Sequence, residues 1–172
     1  MSSAPDTSGT PSRASAGPAD AAWLARAVEV ASRNVADGGG PFGAVVVRGG
    51  AEIAAAGNRV TRDLDPTAHA EVVAIRAACQ ALGTFSLAGT TLYASCEPCP
   101  LCLSAALWAR VDRVVFAADR HDAERAGFDD REFYELLDRD RSTWPNPVVE
   151  HRIERAGEPF EAWREHTTRI PY

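Results

Sequence analysis

The 172-residue sequence has no long apolar run, no excess of basic charge and few cysteines. No stretch approaches the roughly 18 apolar residues that a membrane-spanning helix needs, so we expect no membrane span. Lys and Arg together number 18 against 24 Asp and Glu, which gives a net charge of −6. Proteins that bind nucleic acid usually carry a basic footprint, so a small, weakly charged substrate is the better expectation.

The four cysteines indicate a metal site in a reducing compartment. Three of them, Cys96, Cys99 and Cys102, crowd into one short stretch, which suits metal binding better than a disulfide framework. Residues 1–19 lack the apolar core of a secretory signal and consist mainly of Ser, Thr, Ala, Pro and Gly, so we expect a disordered tail. Residues 20–172 suit one globular domain, and we expect it in the cytoplasm.

Apolar periodicity and turn residues predict an alternation of helices and strands after the tail. A first helix with Asp20 as its N-cap precedes a β-hairpin that turns at Gly49-Gly50. The remaining predicted helices cover about 69–82, 99–110 and 159–169, and the remaining predicted strands cover 90–95, 113–118 and 148–153. This order indicates an α/β protein with helices on both faces of a partly parallel sheet.

The stretch CEPCPLC at 96–102 is compatible with more than one metal. An iron–sulfur cluster of the bacterial ferredoxin type needs a fourth cysteine, and the only other one, Cys79, lies in the middle of a predicted helix. A second motif, His69-Ala70-Glu71, favours zinc instead. Together with Pro98-Cys99-Pro100-Leu101-Cys102 it matches the H-x-E…P-C-x-x-C signature of zinc deaminases that act on nucleobases.

The spacing within these two motifs fits a catalytic zinc. Cys99 and Cys102 are i and i+3 in a first helical turn, so their sulfurs share one face near a helix N-terminus that favours thiolates. With His69 they make three protein ligands, which leaves the fourth tetrahedral position to water. Glu71 is then free to transfer protons. Cys96 precedes the helix and is expected to be packed in the interior without binding metal.

Each of these residues also has a structural interpretation when it is taken alone. His69 could be a hydrogen-bonded core histidine, and Glu71 could lie on a solvated helix face. Two motifs that each open a predicted helix are harder to explain in this way, so their combination favours chemistry.

At these residues the sequence resembles the cytidine deaminase-like superfamily and, within it, the bacterial guanine deaminases. The resemblance implies a three-layer α/β/α sandwich around a five-stranded mixed sheet, with one Zn²⁺ per chain. It also implies a homodimer in which the C-terminal segment of one subunit closes the active site of the other. The matching segments are GGPFGAVVV (39–47), DPTAHAEVVAIRAAC (65–79), SCEPCPLC (95–102), GFDD (127–130), FEAW (160–163) and the terminal Tyr172.

The resemblance assigns a role to individual residues as well. His69, Cys99 and Cys102 would bind zinc, and Glu71 would be the proton shuttle. Asp130 would face the substrate and help to recognise or protonate the departing group. The residues implied to surround the base are Phe42, Asn58, His69, Ala70, Trp108 and Tyr172.

Structural alternatives remain for several of these residues. Phe42 and Trp108 could be ordinary core residues, and Asn58 could be a turn residue at a strand end. Asp129 or Asp130 could cap a helix, because Asp is a favoured N-cap.

The substrate also remains open between several amino-substituted rings. Leu107 and Glu132 depart from the pattern of the guanine deaminases, so guanosine, cytosine and ammeline stay beside guanine as candidates. A tRNA adenosine deaminase would share the zinc motifs, but the charge of −6 argues against RNA binding. A non-catalytic zinc module is a further alternative, although such a module would not need Glu71.

Overall fold

The computed structural model describes residues 17–128 and 130–171, and most of its elements follow the predicted order. In this part of the chain, no helix combines the length and the apolar character required to cross a bilayer. The helices are α1 (Pro18–Ala36), α2 (Val60–Asp63), α3 (Ala70–Leu82), α4 (Pro100–Trp108), α5 (Arg120–Arg125), α6 (Arg131–Leu137) and α7 (Glu158–Glu165), with 3₁₀ turns at Arg141–Thr143 and Glu154–Gly157. The strands are β1 (Gly43–Arg48), β2 (Ala51–Gly57), β3 (Thr90–Cys96) and β4 (Arg113–Ala118).

Helix α1 begins earlier than predicted, and its N-cap is Gly17 instead of Asp20. Asp20 lies in the first turn, where its carboxylate accepts a hydrogen bond of 2.6 Å from the Gly17 N–H. This bond satisfies a backbone donor at the helix start, so Asp20 still stabilises the N-terminus from a different position. The predicted tail of residues 1–19 therefore overlaps the helix at its end, and residues 1–16 lie outside the described residues.

Asp20 also joins the helix to the sheet. The buried carboxylate accepts hydrogen bonds from the Tyr93 hydroxyl at 2.8 Å and from the Arg113 guanidinium at 2.7 and 2.9 Å. The bonds from Arg113, then from the backbone of Gly17 and from Tyr93, hold the pKa of Asp20 well below its usual range. Because Tyr93 lies on β3 and Arg113 on β4, one carboxylate connects α1 to both of these strands.

The sheet is mixed, as predicted, with the strand order β2-β1-β3-β4. β1 pairs antiparallel with β2 and with β3, whereas β3 pairs parallel with β4. The hairpin between β1 and β2 turns at Gly49-Gly50, where it was predicted. The parallel pair aligns the carboxyl ends of β3 and β4, and both ends lead into segments that line the site described below.

The described sheet has four strands, and the prediction of a fifth strand at 148–153 was wrong. That segment has no regular secondary structure, and Val149 is 80% exposed. Its β-branched residues favour a strand only where a neighbouring strand and a packed face support them.

Helices cover both faces of the sheet, which confirms the predicted three-layer α/β/α sandwich. Successive residues of a strand point to opposite faces, so a strand with both faces buried is apolar throughout. One face packs against α1 through Ala27, Val45, Val47 and Tyr93. The other packs against α3 and α4 through Ala44, Val46, Ala74, Leu92 and Ala106.

Candidate metal centre and active site

Two helix N-termini bring the three predicted zinc ligands together at the carboxyl end of β3. His69 is the N-cap of α3, and Cys99 is the N-cap of α4. Cys102 lies in the first turn of α4 and is fully buried. Pro100 occupies a first-turn position of that helix, where its missing N–H costs no hydrogen bond.

The distances between the ligand atoms fit a single zinc ion. The Nδ1 atom of His69 lies 3.5 Å from each of the sulfurs of Cys99 and Cys102, which are 3.6 Å apart. A tetrahedral zinc with bonds of about 2.3 Å to sulfur and 2.0 Å to nitrogen separates two sulfurs by about 3.8 Å, and sulfur from nitrogen by about 3.5 Å. Within the described part of the chain, these three residues are the set whose ligand atoms lie close enough for one metal ion.

The pKa values of the same three residues are shifted by their contacts with one another. The hydrogen bond with Cys102, and after it the one with His69, lowers the pKa of Cys99 well below its usual range. The shared interaction raises the pKa of Cys102, because two neighbouring thiols do not easily lose both protons without a metal. The hydrogen bond to Cys99 also raises the pKa of His69. Zinc binding must therefore displace protons from this cluster, so affinity will fall as the pH is lowered.

Cys96 lies next to this cluster but outside it. Its sulfur is buried and donates a hydrogen bond to the carbonyl of Asp119 at 3.4 Å. Burial raises the pKa of the Cys96 thiol to about 11. A protonated thiol is a poor zinc ligand, which agrees with the expectation that Cys96 packs in the interior.

Glu71 is placed for proton transfer beside the ligand set. It lies in the first turn of α3, two residues after His69, and it is 7% exposed. Burial raises the pKa of its carboxyl. A pKa closer to neutrality suits a group that must both accept and return a proton.

A cavity of about 440 Å³ lies at the ligand cluster, within the range of small-molecule sites. Phe42 and Phe128 both line it, and their rings meet edge to face with centroids 5.0 Å apart. Sequence reasoning missed Phe128, although the GFDD segment that contains it had been noted. An aromatic residue directly before an aspartate pair was the available signal. The other lining residues that matter here are Asn58, His69, Glu71, Glu97 and Asp130.

Asn58 and Asp130 both present polar groups to the cavity. The Asn58 Oδ1 accepts a hydrogen bond of 3.2 Å from the Val60 N–H, so the amide hydrogens are the groups it can offer as donors. Asp130 occupies the N-cap position of α6, but its side chain makes no capping hydrogen bond. Its carboxyl is half-buried, and burial, followed by the nearby Cys99, raises its pKa.

Two of the residues expected around the base, Ala70 and Trp108, do not line this cavity in the described chain. Trp108 ends α4, roughly 13 Å beyond Cys99, because each helical residue adds about 1.5 Å. It lines a different groove, with Leu101 and Ile170 among the other lining residues, and its expected contact with the base stays a prediction. Ala70 is fully buried between His69 and Glu71. Tyr172, like Asp129, lies outside the described residues.

Comparison with known families identifies the same region of the chain. The model of the cytidine and deoxycytidylate deaminase zinc-binding region matches residues 18–118. This match includes all three ligands and Glu71, and it confirms the prediction of zinc.

The similarity to proteins named guanine deaminase extends well beyond that region. Guanine deaminase of Bacillus subtilis is 47% identical over 151 residues, which cover 87% of this chain and 97% of that protein. An X-ray structure of guanine deaminase from the same organism superposes with a TM-score of 0.86 at 46% identity, over 88% of this chain and 98% of the other. The tRNA-specific adenosine deaminase of B. subtilis is 42% identical, but over 58% of this chain and 62% of that protein.

Proposed function

Since the chain belongs to the cytidine and deoxycytidylate deaminase family, we propose that it hydrolyses guanine to xanthine and ammonia. The choice of guanine as substrate rests on how much of the chain is similar to guanine deaminase. The family region ends at residue 118, whereas the similarity to guanine deaminase covers 87% of the chain. The part beyond residue 118 supplies Phe128 and Asp130 to the cavity, so two of the residues proposed to contact the substrate lie outside the generic deaminase region.

The side chains at the cavity divide the reaction between them. Zinc, when bound, activates a water molecule for attack on the ring carbon that carries the amino group. The Glu71 carboxylate would accept the two protons of that water in turn and pass one to a ring nitrogen and the other to the amino group as the carbon–nitrogen bond breaks. Asp130 is proposed to bind the departing amino group or to relay one of these protons to it. Water and guanine thus yield xanthine and ammonia, with no net change in the enzyme.

The remaining lining residues orient the base. The rings of Phe42 and Phe128 offer apolar surfaces to a flat heterocycle and exclude water from it. The amide hydrogens of Asn58 can donate to the ring-nitrogen and carbonyl acceptors of guanine. The contacts of Asn58 and Asp130 with substrate are proposals that rest on their places in the cavity wall.

Ammonia release from a panel of bases tests the proposed substrate. Guanine, guanosine, adenine, cytosine and ammeline are compared at equal concentration, and xanthine is identified as the product of the guanine reaction. We expect guanine to be turned over with the highest kcat/KM. A higher value for another base would reassign the substrate, and no release from any base would favour a non-catalytic zinc protein. Glu71→Gln protein, purified in parallel, controls for contaminating deaminases.

Deamination of tRNA adenosine is the second candidate, because the chain is 42% identical to a tRNA-specific adenosine deaminase over part of its length. The net charge of −6 opposes binding to a polyanion. A tRNA-binding titration at two salt concentrations separates the two functions. Tight, salt-sensitive binding together with inosine formation would favour the RNA substrate.

We further propose that the enzyme is a homodimer that exchanges its C-terminal segments. The apolar side chains of that segment remain largely exposed in the single chain, which leaves their burial to a second copy. The α4 surface has a similar exposure at Leu107 (71%). Light scattering coupled to size-exclusion chromatography should give twice the 18.4 kDa chain mass. The exposed C-terminal apolar residues are Val148, Val149, Ile153, Phe160, Trp163 and Ile170.

The four cysteines support a reducing location for this enzyme. All are free, and the two that are proposed as zinc ligands must remain thiolates. We propose a cytoplasmic enzyme on this ground.

A further inference from the structure

One side chain of α1 fastens together two backbone segments of the cavity wall, and we propose that Asn34 is a positioning residue for base recognition. Asn34 lies near the end of α1 and does not line the cavity itself. The two segments are residues 38–40 and the stretch that contains Asn58. The role assigned to Asn34 rests on the proposed function, because it acts through residues that are proposed to contact the base.

The side-chain amide of Asn34 donates one hydrogen bond to each of these segments. Its Nδ2 atom donates to the carbonyl of Gly40 at 2.8 Å and to the carbonyl of Asn58 at 2.8 Å. The Asn34 backbone carbonyl accepts a third bond, of 2.8 Å, from the Gly39 N–H. One residue therefore fixes the end of α1, the glycine segment and the Asn58 backbone relative to each other.

Two glycines leave the space that the Asn34 side chain occupies. A Cβ atom at Gly39 would lie 2.4 Å from the Asn34 Nδ2, and one at Gly57 would lie 2.4 Å from its Cγ. Neither glycine has a left-handed φ, so these positions need glycine for space and not for backbone conformation. The amide is thus enclosed between two backbones and has little freedom to turn away.

These bonds continue directly to the groups that face the base. The Phe42 N–H donates to the Gly40 carbonyl at 2.9 Å, and the Asn58 N–H donates to the Phe42 carbonyl at 3.0 Å. Asn34 therefore closes a small hydrogen-bonded ring that includes the backbones of Phe42 and Asn58. If either segment shifts, the aromatic ring and the amide that are proposed to hold the base shift with it.

The expected kinetic signature is a change in KM rather than in kcat. The wall holds the base similarly before and during the reaction, and loss of such uniform binding raises KM. The zinc ligands and Glu71 belong to α3 and α4, which Asn34 does not contact through these hydrogen bonds. Loss of these two partly buried hydrogen bonds should raise KM for guanine by about tenfold.

Two substitutions and a matched control test this role. Asn34→Ala removes the amide, and Asn34→Asp keeps its shape but directs an acceptor at two carbonyl oxygens. Both should raise KM while kcat stays within about threefold of wild type and zinc remains at one per chain. Ser32→Ala is the control, because the Ser32 hydroxyl bonds the Val28 carbonyl of its own helix at 2.9 Å. An unchanged KM in both Asn34 variants, even with a lowered melting temperature, would reduce Asn34 to a structural residue.

A double-mutant cycle with Gly57→Ala tests the enclosure without reference to catalysis. The added methyl group should lower the melting temperature of wild type, because it meets the Asn34 Cγ and Oδ1 at 2.4 and 2.5 Å, and lower it less in the Asn34→Ala background, where only the contact with the Asn34 Cβ at 2.7 Å remains. Additive effects of the two substitutions would overturn the proposed enclosure. A wild type that releases no ammonia from guanine would overturn the proposed function instead, and the melting cycle would still decide the place of Asn34.

Discussion

The guanidinium carbon of Arg120 lies 3.8 Å from the centre of the Tyr134 ring, while its Nε donates to the Glu97 carboxylate at 3.0 Å. The Tyr134 hydroxyl donates in turn to the Pro98 carbonyl at 2.6 Å. Glu97 and Pro98 directly precede the first cysteine ligand, and Tyr134 belongs to α6, which starts just after Asp130. These contacts therefore fix the start of α6, and with it Asp130, relative to the segment that carries Cys99.

Graded substitution of Tyr134 should separate its two contacts. Tyr134→Phe loses the bond to Pro98 and about 1 kcal/mol of unfolding free energy. Tyr134→Leu also loses the contact with Arg120, which is worth about 0.5–2 kcal/mol more. Denaturant unfolding measures the stabilities, and kcat for guanine should fall in the same order. Equal values for the two variants would show that the ring contact with Arg120 contributes nothing.

Replacement of Glu71 by Gln should abolish most turnover but keep the metal. The amide has nearly the same shape and cannot transfer a proton, so kcat should fall by about 10²–10⁴-fold or more. Zinc analysis and the melting temperature show that the centre and the fold survive. Activity within tenfold of wild type would remove Glu71 from the mechanism.

The three neighbouring cysteines should differ in their effect on zinc content. Cys99→Ala and Cys102→Ala each remove a ligand, so we expect loss of zinc and a less stable fold. Cys96→Ser is the matched control and should retain one zinc per chain, since its thiol bonds a backbone carbonyl instead. Metal analysis of the purified variants decides, and a zinc-free Cys96→Ser protein would refute the ligand assignment.

The lowered pKa of Asp20 predicts an acid-sensitive contribution to stability. Because the folded-state pKa lies below the unfolded value of about 3.9, the carboxylate stabilises the fold fully above that pH. The contribution is lost as the pH falls through the folded-state pKa. Asp20→Asn should therefore be less stable than wild type at pH 7, and the gap should close in strong acid.

Unfolding of both proteins between pH 7 and pH 2 measures this gap. Any release of zinc in acid affects wild type and Asp20→Asn alike, so it cancels from the comparison. A gap that stays constant down to the lowest pH would show that the carboxylate charge is not what stabilises this junction.

Removal of residues 168–172 should leave a folded, zinc-loaded protein with sharply reduced guanine turnover. The reason is that the C-terminal segment is proposed to close the site of the partner subunit. Mixing the truncated protein with Glu71→Gln protein under exchange conditions should restore activity, because a mixed dimer combines an intact Glu71 with a complete tail. Full activity of the truncated protein as a monomer would show that the tail only packs.

The metal centre was predictable because its residues lie in two short sequence motifs. His69 and Glu71 lie in one short motif and the two cysteines in another, and each motif starts a helix whose N-terminus is itself visible in the sequence. The order of α1, α3, α4 and the four strands followed from periodicity for the same reason, whereas α2, α5 and α6 were not predicted. The Asp20 cap was misplaced by three residues, since an N-cap and a first-turn acid carry similar local signals.

Residues that act across the fold were not predictable in the same way. In the sequence, Asn34 is only a polar residue near the end of a helix. Its role follows from the fold, which places Gly39 and Gly57 against it. Phe128 reaches the cavity only because the segment after α5 turns back toward Phe42. The supposed strand at 148–153 has strand-forming residues but no neighbour in the described chain, and pairing depends on distant residues that local propensity does not contain.

The metal centre joins His69 to Cys99, 30 residues further along the chain, and this separation bears on the kinetics of folding. The two ligand-bearing helix starts flank β3 in the sequence, so we expect them to meet after that strand has paired with β1. A ligand set that is completed late is absent from the folding transition state, and such contacts chiefly slow unfolding. Zinc should therefore lengthen the lifetime of the native enzyme while leaving its refolding rate nearly unchanged, so that chelators act on this protein by shortening that lifetime.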